Sequence, residues 1–270
     1  MITNFLDLRA RLKDDYSLCV TRIGNVETTS ILNNGIYDQM FSNAGFFCKD
    51  KSKENEVYTM WKNKYIRAIM TCDLMLDVIT CSSFNIVGQL LNNLNTWIPT
   101  LVYPEDPKWW IENIINEYEG TIGIVSYFKK DIESQLTKME KIWPDLKIKN
   151  KFVVIKSLNT ISQNEPDEFN DWLEVYDDLE KRVLKRKDIK LWLVSSGCYG
   201  LPLCNAIACN NKKAIYVGGI LQTIFGLKGK RWDDRKVVNR WYNKHWKYPK
   251  TKPKNAEQIE GGCYWGNDDE

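Results

Sequence analysis

The stretch Leu191-Trp192-Leu193-Val194-Ser195-Ser196-Gly197-Cys198-Tyr199-Gly200-Leu201-Pro202 decides the fold class. Four apolar residues run into a serine–glycine turn, and a helix-like segment follows with Pro202 in its first turn. An apolar run with no polar alternation is a strand covered on both faces. A glycine turn leading into a helix start is how a strand in a parallel sheet hands over to its crossover helix. Five more short runs read the same way: Leu18–Val20, Leu74–Ile79, Ile122–Val125, Phe152–Ile155 and Ala214–Val217. Between them, Asp131–Ile142 and Glu168–Leu184 are charged on one side and apolar on the other, as amphipathic helices are, with Pro144 closing the first. Residues 49–56 are polar enough for a surface loop. Strands alternating with helices predict an α/β fold: a Rossmann-like, mainly parallel sheet covered by helices. The chain reads as one domain over residues 1–270, without internal repeats or low-complexity linkers.

Composition narrows the chemistry. Of 270 residues, 43% are hydrophobic, enough for a buried core and too many for disorder. No run of about 18 apolar residues occurs, so no membrane-spanning helix is expected. Residues 1–13 have neither a basic start nor an apolar run, which argues against a signal peptide. The eight cysteines form no C-x-x-C pair, so they read as reduced thiols in a cytoplasmic protein. His245 is the single histidine. A histidine-rich metal site is therefore excluded, and carboxylates are left for metal binding and proton transfer.

Charge is unevenly spread. Residues 228–254 carry 11 Lys or Arg and two acids, whereas residues 255–270 carry five acids and no base. The rest is close to neutral. The basic segment also holds Trp232, Trp241, Tyr242, Trp246 and Tyr248. Basic and aromatic residues interleaved suit a phosphate attached to a flat or sugar-like ring. They equally suit a solvated helix with a packed aromatic face.

Three segments could carry a site. The first is the turn with Gly197 and Gly200, where backbone can approach a ligand closely and a helix start presents free N–H groups. The second follows the run ending at Val217: Gly218-Gly219, then Gln222, Lys228, Lys230, Arg231 and Trp232. Two glycine-ended strands with cations following fit a diphosphate better than a carboxylate. The third follows the first strand: Arg22-Ile23-Gly24-Asn25-Val26-Glu27. Oxygen ligands two apart after a strand, here Asn25 and Glu27, can hold a divalent cation against phosphate. An N-capping turn with a first-turn glutamate uses the same residues.

Arg22–Glu27, R-I-G-N-V-E, resembles the R-F-G-D-G-E signature of the GT-D-type glycosyltransferases. Ser196–Cys204, Lys213–Trp232 and Glu260–Trp265 resemble relatives of that family from polysaccharide gene clusters. The similarity runs in patches from about residue 17 to residue 265. It implies a GT-D-like fold and transfer of a sugar from a nucleotide-diphosphate donor, foremost a UDP-sugar, to a glycan or glycoprotein. It also implies that Arg22, Asn25 and Glu27 help hold the donor's diphosphate, with Mn²⁺ or Mg²⁺. The family's first acid is Asn25 here and its second glycine is Val26, so any cation should bind weakly. A carboxylate base is needed by an inverting enzyme, and the candidates are Glu27, Asp73, Asp77 and Glu260. The alternatives are a methyl- or pyruvyltransferase acting on glycans, or a nucleic-acid binder using the basic segment. The near-neutral body disfavours the last.

Overall fold

The computed structural model describes residues 2–36, 38–77, 81–162 and 164–266, with the backbone alone for 81–85. Seven strands join one sheet: β1 Leu18–Thr21, β2 Leu74–Asp77, β3 Thr100–Val102, β4 Thr121–Ser126, β5 Lys151–Lys156, β6 Leu191–Ser195 and β7 Lys213–Tyr216. Their order is β3-β2-β1-β7-β6-β4-β5, and every pairing is parallel. The fold is therefore α/β and Rossmann-like.

Among the described residues, twelve α-helical segments connect and flank the strands. They are α1 Phe5–Lys13, α2 Asn25–Leu32, α3 Glu54–Thr71, α4 Cys81–Asn93, α5 Pro107–Trp110 and α6 Lys129–Leu136. The others are α7 Met139–Ile142, α8 Trp172–Leu184, α9 Gly200–Cys209, α10 Leu221–Ile224, α11 Lys230–Asp233 and α12 Lys236–Asn239.

The central strands are apolar throughout because both faces are covered. Leu18, Val20, Leu74, Leu76, Ile122, Ile124, Leu191, Leu193 and Ile215 point into one core, under α1, α6, α7 and the C-terminal segment. Cys19, Met75, Val125, Trp192, Val194 and Ala214 point into the other, under α3, α8 and α9. That period of two is the strand pleat. Gly123 in β4 exists for Trp192: a β-carbon there would stand 2.2 Å from the indole ring.

Four expectations change. β3 was not foreseen; it is three residues long and half-exposed at the sheet edge. Asp131–Ile142 is two helices, because the chain turns at Thr137–Lys138, where the Lys138 N–H donates to the Gln135 carbonyl at 2.8 Å. The helix expected from Glu168 starts at Trp172, since the Asp171 carboxylate accepts the Leu173 and Glu174 N–H groups at 2.8 and 3.1 Å. Polar residues 54–56 open α3 instead of closing a loop. Of the Leu74–Ile79 run, residues 78 and 79 lie outside the described residues.

Candidate functional site

A cavity of about 310 Å³ opens at the C-terminal ends of β1, β7, β6, β4 and β5. The chain walks outward from β1 through β2 to β3 on one side, and β7, β6, β4 and β5 lie on the other. The cavity is thus at the point where the strand order reverses, where parallel sheets leave a crevice.

Arg22 follows β1 and enters the cavity. Its guanidinium lies 5.0 Å from the centre of the Tyr103 ring, and it makes no hydrogen bond or ion pair among the described residues. Tyr103 is fixed by donating to the Val217 carbonyl at 2.6 Å. Gly218, with φ +71°, passes so close that a β-carbon would lie 2.8 Å from Arg22 Nη1. Only glycine combines that backbone angle with that clearance.

Gly24 caps α2, and its N–H donates to the Tyr65 hydroxyl at 3.2 Å. Asn25 and Glu27 are the first and third residues of that helix, and both line the cavity. The Glu27 carboxylate folds back over the helix start. Burial pushes its carboxyl above the ordinary glutamate value, against the pull of its own backbone N–H and of Arg22. Burial, with the Glu27 charge adding, also raises the Tyr65 and Tyr216 phenols. The Tyr216 hydroxyl donates to the Gly197 carbonyl at 2.9 Å. Gly197, at φ +52°, packs against the Ala44 carbonyl.

Arg231, also on the cavity lining, is ion-paired with Glu260 and donates to the Tyr264 hydroxyl at 2.8 Å. Gln222 donates to the Lys228 and Tyr264 carbonyls at 2.6 and 3.1 Å. The remaining wall is neutral and hydroxyl-rich: Ser126 at the end of β4, Ser157, Asn159 and Thr160 after β5, Ser195 at the end of β6 and Ser196 after it. Ser157 Oγ, Ser196 Oγ and Gln222 Oε1 are buried without a hydrogen-bond partner among the described residues.

Most of the residues singled out in the sequence meet here: Arg22, Gly24, Asn25, Glu27, Gly197, Gly218, Gly219, Gln222, Arg231 and Glu260. Six do not line the cavity. Asp73 stands at the opposite end of the sheet, before β2, where its carboxylate accepts the Cys19 N–H at 2.8 Å. It pairs with the start of a strand and lies away from the cavity. Gly200 is buried beneath Tyr216, whose ring would lie 2.3 Å from a β-carbon there. Lys228 lies 5.2 Å from the centre of the Tyr242 ring, and Lys230 pairs with Glu257 at 3.7 Å. Trp232 is a core residue, edge-on to Tyr264 with ring centres 5.9 Å apart. Asp77 ends β2 but does not line the cavity either. The sequence reading did not include the serine wall, although Ser126 immediately follows the run Ile122–Val125, and Ser157 follows the run Phe152–Ile155 after Lys156.

The donor set at Asn25 and Glu27 does not fit a resident divalent cation. It offers one buried carboxylate, turned onto its own helix and sharing its surroundings with the Arg22 charge. Among the described residues no three His, Cys, Asp or Glu side chains are grouped to hold a metal. Magnesium-like cations are held by one or two carboxylates together with a substrate's phosphates, so this pair would need the nucleotide's oxygens to retain one.

No family model and no curated protein matches the sequence. Two solved structures match at a distance. A selenomethionine-substituted structure of domain of unknown function 1792 is 13% identical, with 80% of this chain and 83% of that one covered and a TM-score of 0.46. A structure described as a new glycosyltransferase of the same domain type, from Streptococcus sanguinis, is 12% identical, with 80% and 78% covered and a TM-score of 0.43. At these values the likeness gives no cavity residue a role. No helix among the described residues is long and apolar enough to cross a membrane.

Proposed function

We propose that the protein is a glycosyltransferase that takes its sugar from a nucleoside-diphosphate donor bound in this cavity. The observation that carries the reading is Arg22, a guanidinium facing the cavity with no anionic hydrogen-bond partner among the described residues. An arginine so placed is a ready grip for a doubly charged diphosphate. Arg231 lines the same cavity, and the start of α2 adds its positive dipole end. The neutral wall of Ser157, Asn159, Thr160 and Ser196 supplies acceptors and donors for hydroxyl-bearing rings. The motif resemblance at Arg22–Glu27 narrows this class to sugar transfer, with a UDP-sugar the first donor to try and a glycan or glycoprotein as acceptor.

In this reading the two guanidiniums hold the leaving diphosphate and stabilise the charge that develops as the glycosidic bond breaks. A carboxylate accepts the acceptor's hydroxyl proton. Glu27 suits that task by its place in the cavity and its raised pKa, which brings a carboxylate toward the range where general bases work. The basic segment serves mainly the fold, since Arg235 and Arg240 pair with Glu105 and Asp106. A thermal-shift panel of nucleotide sugars and nucleotides tests the reading. UDP should raise the melting temperature more than UMP, because binding to the native state alone stabilises it. Equal shifts, or none with any nucleotide, would overturn it.

A further inference from the structure

The guanidinium of Arg231 already holds an anion, and that anion belongs to the chain itself. Glu260 sits on a turn with three successive left-handed residues: Glu260 at φ +49°, Gly261 at +68° and Gly262 at +70°. The glycines adopt this freely, but a glutamate does so under strain. Nothing lies within 4 Å of a β-carbon built on Gly261, so its glycine answers to the backbone angle and not to crowding. Both flanks of the turn are anchored. Ile259 and Trp265 are fully buried, and the Trp265 indole donates to the Thr251 carbonyl at 2.8 Å. Ile259, Glu260, Tyr264 and Trp265 all line the cavity. A strained turn between two fixed points thus presents one carboxylate to a cavity arginine.

We propose that Glu260 is an internal competitor for the ligand's anionic group: it occupies Arg231 in the free protein, and an entering diphosphate takes Arg231 over and releases the 260–263 turn. The proposal rests on the donor reading above. A phosphate oxygen and a carboxylate oxygen seek the same guanidinium face, and both cannot have it. Release would relieve the left-handed strain at Glu260 and offset part of the lost ion pair. The Arg231–Tyr264 hydrogen bond keeps the guanidinium in the cavity while the partners exchange.

The test is calorimetric titration of the wild type, Glu260→Gln and Glu257→Gln with UDP and with inorganic pyrophosphate. Glu257 is the control: it lies on the same segment and pairs with Lys230, outside the cavity lining. Glu260→Gln should bind both probes about two- to fivefold tighter, the range of a partly exposed ion pair. Glu257→Gln should stay within about twofold of wild type. Hydrogen exchange at residues 260–263 should rise when UDP binds the wild type, and should already be raised in free Glu260→Gln. Weaker binding by Glu260→Gln would make Glu260 a positioning residue for Arg231 and overturn the proposal. Equal tightening by both variants would reduce it to a general charge effect and overturn it too. A wild type that binds neither probe would instead overturn the donor reading.

Discussion

Glu27 Oε2 lies 2.1 Å from the point where a β-carbon on Gly24 would stand. The carboxylate therefore occupies space that only glycine leaves open. The obstructing group is the far end of a flexible side chain, so an alanine can be accommodated if the carboxylate swings away. Gly24→Ala should lose less than about 1 kcal/mol of stability. Transfer activity should fall by about 100-fold, the scale of a displaced catalytic group. Gly123→Ala makes the contrast, because there the obstruction is the buried Trp192 ring. It should lose about 1–3 kcal/mol. Urea melts and turnover of the two variants check the pair, and the assignment fails if Gly24→Ala keeps full activity.

The raised Glu27 pKa makes stability depend on pH with a definite sign. Its cause is burial, and the folded protein keeps the proton at pH values where the unfolded chain has released it. The stabilisation from protonated Glu27 is complete below the ordinary glutamate pKa and is lost as pH rises through the folded value. Glu27→Gln has no such loss. The variant should match the wild type near pH 4, and be the more stable of the two near pH 7. Chemical denaturation of both proteins from pH 4 to 8 measures this. A wild type that gains on the variant as pH rises would mean that ionised Glu27 is stabilised, with Arg22 its nearest cation.

The two arginines should separate diphosphate from monophosphate. Arg22→Ala should weaken UDP binding by about 1.5–3 kcal/mol, the usual size for a charge-assisted hydrogen bond. Arg231→Ala should lose a similar amount and leave the Glu260 carboxylate facing the ligand unpaired. Adding Glu260→Gln to Arg231→Ala should then recover part of the loss, a coupling that a double-mutant cycle reads directly. UMP affinity should change less in every case. Full UDP affinity in both single variants would place the phosphates elsewhere.

Much of this arrangement was legible in the chain because parallel strands buried on both faces write themselves as short apolar runs. Each of the six runs read from the sequence falls on a strand of the sheet, although β2 is described only to Asp77 and Val217 lies just past β7. Thr100-Leu101-Val102 escaped because an edge strand of three residues, half-exposed, carries no such run. The glycine turns gave part of the cavity lining, where Gly197 and Gly218 adopt left-handed backbone after strand ends. Sequence proximity misled at Lys228, Lys230 and Trp232. The Lys230 and Arg231 N–H groups donate to the Trp265 and Cys263 carbonyls at 3.2 and 2.9 Å, and on that path Trp232 goes into the core, the lysines go to Tyr242 and Glu257, and Arg231 enters the cavity. Such alternation is set by packing against the 255–266 segment, which pairing between distant residues decides. Asp73 lies away from the cavity for a simpler reason: it precedes its strand, and ligands gather where parallel strands end.

Cation binding follows from the same geometry. Calorimetric titration of the free protein with Mn²⁺ should show a Kd no tighter than about 1 mM, as expected where ligand charge is low. Asn25→Asp adds a second carboxylate at nearly the same size and should strengthen binding. With UDP present, any tight Mn²⁺ should be held mainly by the nucleotide's phosphate oxygens. Tight binding by the free wild type, abolished in Glu27→Gln, would restore Asn25 and Glu27 as a metal site.

The buried serine hydroxyls make the last prediction, in which stability and binding move in opposite directions. Ser157 is 1% exposed and Ser196 8%, and neither Oγ has a hydrogen-bond partner among the described residues. A buried hydroxyl left unpaired costs about 1–3 kcal/mol, and removing it with little change of shape relieves that cost. Ser157→Ala should therefore leave the free protein as stable as the wild type, or up to about 1 kcal/mol more stable. If the hydroxyl awaits a donor ring, the same change should weaken nucleotide-sugar binding by about 0.5–1.5 kcal/mol, one neutral hydrogen bond. Pyrophosphate has no ring, so its affinity should not change. Ser196 follows β6 directly and should behave alike, unless the turn before Gly197 needs its side chain. Thermal melts and titrations with UDP-glucose and pyrophosphate decide the matter for each variant. A serine whose loss weakens both ligands equally lies with the phosphates, and one whose loss destabilises the free protein without touching either ligand belongs to the fold.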